Sequence, residues 1–161
     1  MPPRPRSRTS RLRLLAAATG VLAFVFVLAA QAVWPDGEGE PVAWSDLSDE
    51  VGPLHLTGGT KRLFTSRAQL ATYLDRLGAA RHLPSVDFGR RQVLLISPGP
   101  RSSSGYRVEV LRVRRHDGRI DVTVRERTPT LGERVRASVT SPYRLLSLPR
   151  NADVYVDWRG R

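Results

Sequence analysis

Apolar and polar positions follow three different periods along this chain, and each period predicts a different element. From Leu14 to Val33 there are 20 consecutive residues without a charge, rich in Ala, Val, Leu and Phe. A helix of that length is ~30 Å long at ~1.5 Å per residue, matching the hydrocarbon core of a bilayer. The stretch has no amphipathic stripe, so it reads as a transmembrane helix rather than a core helix. Further on, Leu70, Tyr73 or Leu74, and Leu77 recur at helical spacing. They predict a helix over roughly 67–77 with Ser66 as N-cap, Gln69 completing a capping box and Gly78 ending it. Lys61–Thr65 reads as a short strand. Val93-Leu94-Leu95-Ile96 is continuously apolar and predicts a strand buried on both faces. Val154, Val156 and Trp158 alternate with polar residues, so a period-two strand closes the chain.

A hairpin is predicted around Asp117-Gly118, a type I′ dipeptide between strand-like runs at roughly 106–116 and 119–127. Counting outwards, His116 opposes Arg119, Val113 faces Val122 and Leu111 faces Val124, with Ile120 on the same side. That face is expected to be core. The other face carries Arg112, Arg114 and Arg125, with Asp121 opposite Arg114. Further out, strict register sets Glu109 against Glu126 and turns Val108 and Val110 to the arginine face. Like charges directly opposite each other are unfavourable. One extra residue near Val110-Leu111 removes the conflict, so a β-bulge is expected there.

Charge divides the chain further. Residues 1–13 hold five arginines and no acid, and residues 34–50 hold six acids and no base. Basic residues before the span keep the N-terminus in the cytoplasm, so 34–161 is expected to face outside. Residues 51–161 hold 21 basic and nine acidic residues, a net of +12 within the total of +11. The expected organisation is a basic tail (1–13), a transmembrane anchor or signal segment (14–33), an acidic Pro/Gly linker (34–52) and an extracytoplasmic domain (53–161). Trp34 falls where an interfacial aromatic belongs. Ala30-Gln31-Ala32 is a small-x-small triplet of the kind signal peptidase cuts, and cleavage after Ala32 would secrete the domain. The apolar run is longer than the ~7–15 residues of a signal-peptide core, which favours the anchor. The domain itself is expected to be α+β, a mostly antiparallel sheet with one packed helix.

Candidate chemistry is sparse. There is no cysteine, which excludes thiolate metal sites, disulfides and a cysteine nucleophile. His55, His82 and His116 are at least 27 positions apart and stand in no motif. Ser102-Ser103-Ser104 lacks the elbow of hydrolases, and no phosphate-cradling loop or dinucleotide fingerprint is present. No cofactor is expected and the chain reads as a non-enzyme; the alternative is a wall-active hydrolase whose site assembles from distant residues. Arg112, Arg114 and Arg125 form a basic stripe suited to anionic lipid or an acidic wall polymer. Nucleic acid is disfavoured by location and by the lack of interleaved aromatics for base stacking.

Between 86 and 150 a set of short landmarks recurs in order. They are Val86-Asp87-Phe88, Ser104-Gly105-Tyr106, Thr140-Ser141-Pro142-Tyr143 and Leu146-Ser147-Leu148-Pro149. Their order and spacing resemble the PrcB C-terminal domain family, named for a subunit of a bacterial cell-surface protease complex. In that family the tyrosine usually follows two glycines, whereas here Ser104 replaces the first. The resemblance implies an extracytoplasmic, non-catalytic domain, in the family's namesake an accessory that supports a protease complex. With the anchor and the absent catalytic constellation, it leads to the expectation of a module that contacts another envelope protein. Ser104, Gly105, Tyr106 and Tyr143, with Arg112, Arg114 and Arg125 of the stripe, make up the candidate binding surface; core packing is the favoured role for Tyr106, and Tyr143 is open between core and contact.

Overall fold

The computed structural model of the protein describes residues 39–160. The basic tail, the predicted span at 14–33, the Ala30-Gln31-Ala32 triplet and Trp34 lie outside the described residues. Among the described residues no helix is long and apolar enough to cross a membrane.

The described chain starts with two very short strands, β1 (Glu40–Pro41) and β2 (Ser45–Asp46), and a single helical turn, α1 (Ser48–Val51). Strand β3 (Thr60–Phe64) and helix α2 (Arg67–Arg76) follow, then β4 (Arg91–Ser97) and β5 (Arg101–Ser103). The hairpin β6 (Arg107–His116) and β7 (Arg119–Arg127) leads to β8 (Ala137–Thr140), β9 (Arg144–Pro149) and β10 (Val154–Arg159). The strands divide between two four-stranded sheets, β1-β6-β7-β10 and β2-β9-β4-β3, and a two-stranded ribbon, β5-β8. Only β10 pairs in parallel, with β7. The domain is α+β and mostly antiparallel, with one packed helix.

The β2-β9-β4-β3 sheet is the middle layer, which explains the unbroken apolar run in β4. Val93 and Leu95, with Phe64 and Leu145, pack against Leu70 and Leu74 of α2 and against Leu47, Val51, Leu54, Leu56 and Tyr143. Leu94 and Ile96, with Leu146 and Leu148, point the other way and meet Val108, Val113, Ile120, Val122 and Val124 of the second sheet. Side chains alternate across a strand, so a strand between two apolar layers must be apolar at every position.

Local signals set the helix and the hairpin turn. Ser66 Oγ accepts from the Gln69 N–H at 3.3 Å, and Gln69 Oε1 accepts from the Thr65 N–H at 3.0 Å. At the other end Gly78 takes φ +72°, and the Ala79 N–H reaches the Leu74 carbonyl at 2.8 Å, closing a Schellman cap. Asp117 and Gly118 both have positive φ, 48° and 78°, as a type I′ turn requires. The pairing runs His116–Arg119 and Val113–Val122, then shifts between Val110 and Arg112. This is the expected bulge: Glu109 now opposes Arg125 and Val108 is buried. Leu111 departs from expectation. It is the extra residue, 47% exposed, and Val110 takes its place opposite Val124.

The acidic segment is the larger correction. Residues 40–51 are part of the domain and not a linker. Glu40 and Pro41 pair with Arg115 and Arg114, while Ser45 and Asp46 pair with Ser147 and Leu146. Leu47 and Val51 enter the first core at 6% and 2% exposure. The Leu47 N–H donates to the Leu145 carbonyl at 2.7 Å, and Ser48 Oγ accepts from the Leu145 N–H at 2.9 Å. The segment is thus a strap joining one sheet to the other. Its acids are exposed, Asp46 also accepting from the Ser48 N–H at 2.9 Å and pairing with Arg144 at 3.4 Å, while three apolar residues, Val42, Leu47 and Val51, do the packing.

Candidate functional site

The turn that follows β5 and the segment before β9 lie far apart in sequence, yet both border one open groove of about 400 Å³. Its lining includes Asp49 and Gly52 from the strap and its end, Pro53 just beyond, Tyr106, Arg107 and Val108 from the start of β6, and Ser141, Pro142, Tyr143 and Arg144. Gly105 is buried just beneath it. A Cβ at Gly105 would stand 2.5 Å from Val135 Cγ1 and 2.6 Å from Pro129 Cβ. Only glycine lets the 128–136 loop close onto the ribbon at this point.

Tyr143 is 8% exposed and faces inward. Its hydroxyl lies 3.1 Å from the Ser48 carbonyl and also contacts the Gly52 carbonyl. Burial, reinforced by Asp46 and Asp49, pushes this phenol up to about 12, so it stays neutral and serves as a donor. Ser141 Oγ accepts from the Leu56 N–H at 3.2 Å and donates to the Leu56 carbonyl at 3.0 Å. These two motif residues fasten the N-terminal strap and the chain beyond it. Tyr106 is different. It is half-buried, its ring is 5.9 Å from the Arg101 guanidinium, and its hydroxyl makes no hydrogen bond within the described residues. It is the tyrosine of the groove with a polar group to offer.

Two ion-pair clusters hold the surroundings of Tyr106. Arg101 and Glu126 pair through two contacts, tying β5 to β7, and the bond to Glu126 raises the arginine above its ordinary value. Glu133 accepts from Arg127 at 3.0 Å, from Arg107 at 3.2 Å and from the Thr130 N–H at 3.1 Å. The Arg127 guanidinium first, then the Thr130 N–H, hold the Glu133 carboxyl down at about 2 against an ordinary 4.5. A depressed carboxylate contributes its stability above its unfolded value and loses it as pH falls through the folded one. The 128–136 loop is therefore expected to hold firm above pH ~4.5 and to loosen toward pH ~2. Glu133→Gln should loosen it at neutral pH and flatten that dependence. Hydrogen exchange of loop amides across the pH range reads the effect; identical pH profiles for both chains would contradict it.

The arginine stripe lies elsewhere. Arg112, Arg114 and Arg125 share the outer face of the hairpin, as the counted register requires. Arg125 is 2.6 Å from Glu109, Arg114 donates to the Gly39 carbonyl at 2.8 Å, and the neighbouring Arg119 is 2.9 Å from Asp121. Within the stripe, Arg125 is thus neutralised by Glu109. None of the stripe's three residues lines the groove, so the structure divides the expected surface into two. Ser104 is exposed at the turn, where its N–H donates to the Arg136 carbonyl.

His55 and His82 are exposed, and His116 sits at the hairpin turn, 3.4 Å from exposed Asp117. None lines the groove. Among the described residues no group of three or more His, Asp or Glu could hold a metal. Sequence reasoning missed the strap residues Asp49 and Gly52 and the organising role of Glu133. Leu47 and Val51, spaced i and i+4 in an otherwise polar segment, are the signal that could have found the strap.

No curated protein and no solved structure matches the chain. Residues 92–149, from β4 to the end of β9, match the family model described as PrcB C-terminal, and over that segment the chain is similar to this family.

Proposed function

We propose that this chain is a membrane-tethered, extracytoplasmic, non-catalytic module that supports a cell-envelope protein complex by binding a partner protein at the Tyr106 groove. One observation carries the reading. Gly105-Tyr106 and Ser141-Pro142-Tyr143, two landmarks of the family, converge on a single groove although more than 30 positions separate them. In it, Tyr143 is spent on the fold, whereas Tyr106 presents an amphipathic ring with an uncommitted hydroxyl, the kind of side chain that anchors interfaces. The location of the groove agrees. The described chain enters the fold beside Arg115, near the hairpin turn, whereas Tyr106 stands at the other end of β6. At ~3.3 Å per residue the two ends are roughly 25–30 Å apart, so the groove lies at the far end of the hairpin from where the described chain begins. The match to a family named for a protease subunit makes an envelope protease complex the first partner to seek.

A photo-reactive amino acid at position 106 of the full chain, in intact cells, tests this. We expect protein adducts from position 106 and none from the same group at Leu111, which is exposed on the hairpin. Adducts with lipid or wall polymer alone would replace this reading by that of a cationic polymer-binding domain.

A further inference from the structure

Apart from the groove, the most informative surface is the outer edge of the β5-β8 ribbon. β8 pairs with β5 on one side, and among the described residues no strand pairs with its other side. The backbone of Arg136 faces β5: its carbonyl accepts the Ser104 N–H at 3.1 Å, and its N–H donates to Ser104 Oγ at 3.0 Å. Backbone groups of successive residues in a strand point to opposite sides. The N–H and C=O of Ala137 therefore face the unpaired side; beyond it the register shifts before the Arg101–Thr140 pair.

The side chains here alternate too. Val135, Ala137 and Val139 are exposed, Val139 at 78%, and they alternate with exposed Arg134, Arg136 and Ser138. Valines facing water on a free strand edge are unusual, because such an edge templates pairing with another chain. The ribbon is also ordered in advance. Thr140 Oγ1 donates to the Ser103 carbonyl at 2.7 Å, Glu133 braces the loop leading into β8, and the Arg101–Glu126 pair holds β5 to the hairpin. A preformed edge loses little conformational freedom on binding.

We propose that β8 takes up an extended segment of a partner protein in which acidic residues alternate with apolar ones. The segment pairs its backbone with Ala137, sets apolar side chains beside Val135 and Ala137, and sets carboxylates beside Arg134 and Arg136. Main-chain bonds supply affinity in such strand addition, and the alternating side chains supply selectivity. A second copy of β8 is the wrong occupant, since it would bring arginines against arginines. The inference rests on the reading of this chain as a protein-binding module, but it concerns a different surface from the Tyr106 groove.

The probe is a capped peptide of about six residues alternating valine and glutamate, offered to the full chain in lipid nanodiscs, with a valine–lysine peptide as control. The glutamate peptide should slow hydrogen exchange at Ala137. It should bind roughly tenfold better than the lysine peptide, the scale expected when two cross-strand pairs change from like to opposite charge. Ala137→Pro removes an outward N–H and leaves the Arg136 bonds to Ser104 intact. It should lower peptide binding roughly tenfold at an unchanged melting temperature, since one ladder bond and its geometry are lost. Should that variant fold poorly, Arg134→Glu with Arg136→Glu must reverse the preference toward the lysine peptide. Equal binding of both peptides, or protection appearing away from β8, overturns the proposal. Protection at β8 without crosslinks from position 106 would remove the groove reading alone, and the converse would remove this one alone.

Discussion

A chain beginning at Pro53 should not fold, whereas one beginning at Glu38 should unfold in a single cooperative transition. The shorter chain lacks the whole strap. Leu47 and Val51 are almost fully buried, and each such side chain contributes ~1.5–3 kcal/mol through burial. Loss of the strap also strips the Leu145 N–H and C=O of their partners and leaves the buried Tyr143 hydroxyl without either acceptor. Each orphaned buried polar group costs about 1–3 kcal/mol more. The sum rivals the total stability of an ordinary domain, about 5–15 kcal/mol. Circular dichroism with urea titration of the two chains decides the matter. Equal midpoints would show that the strap is an accessory layer and not part of the cooperative unit.

Tyr143→Ala should destabilise the domain by about 3–5 kcal/mol, the cost of deleting a buried aromatic ring from a core. The ring packs in the first core with Val51, Leu54 and Leu145. Tyr143→Phe keeps the ring and removes only the hydroxyl that reaches Ser48 and Gly52. Its expected cost is about 1–2 kcal/mol, because the Ser48 carbonyl also accepts the Gly52 N–H at 3.0 Å. Denaturant midpoints at a common slope measure both. The pair also separates fastening from recognition: if Tyr143→Phe abolished partner capture at full stability, Tyr143 would have to be a contact residue.

The landmarks at Tyr106 and Tyr143 look equivalent in sequence, each a tyrosine after a small or turn-forming residue. In the fold one hydroxyl is buried against the strap and the other is uncommitted, and only the path of residues 48–52 makes that distinction. The hairpin shows how far local reading reaches. Counting from Asp117-Gly118 exposed a like-charge clash that required a bulge, and the bulge is there. The count could not choose which residue would be extruded, and Leu111 went outward because Val110 fits between Val108 and Val113 in the core. Leu111 is thus an exposed leucine in a strand, which no residue scale would predict.

Elements whose stability is local were legible from the sequence alone: helix α2 with Ser66, Gln69 and Gly78, the type I′ turn, and the doubly buried β4. Their signals lie within a few residues of the structure they specify, through capping bonds, positive φ and side-chain period. The tertiary structure decided the rest. It placed an acidic, proline- and glycine-containing segment across two sheets, paired β10 in parallel with β7, and brought two distant landmarks to one groove. A two-residue strand has almost no propensity of its own. It exists because a sheet edge and an apolar hollow already await it, and those are formed by residues a hundred positions away.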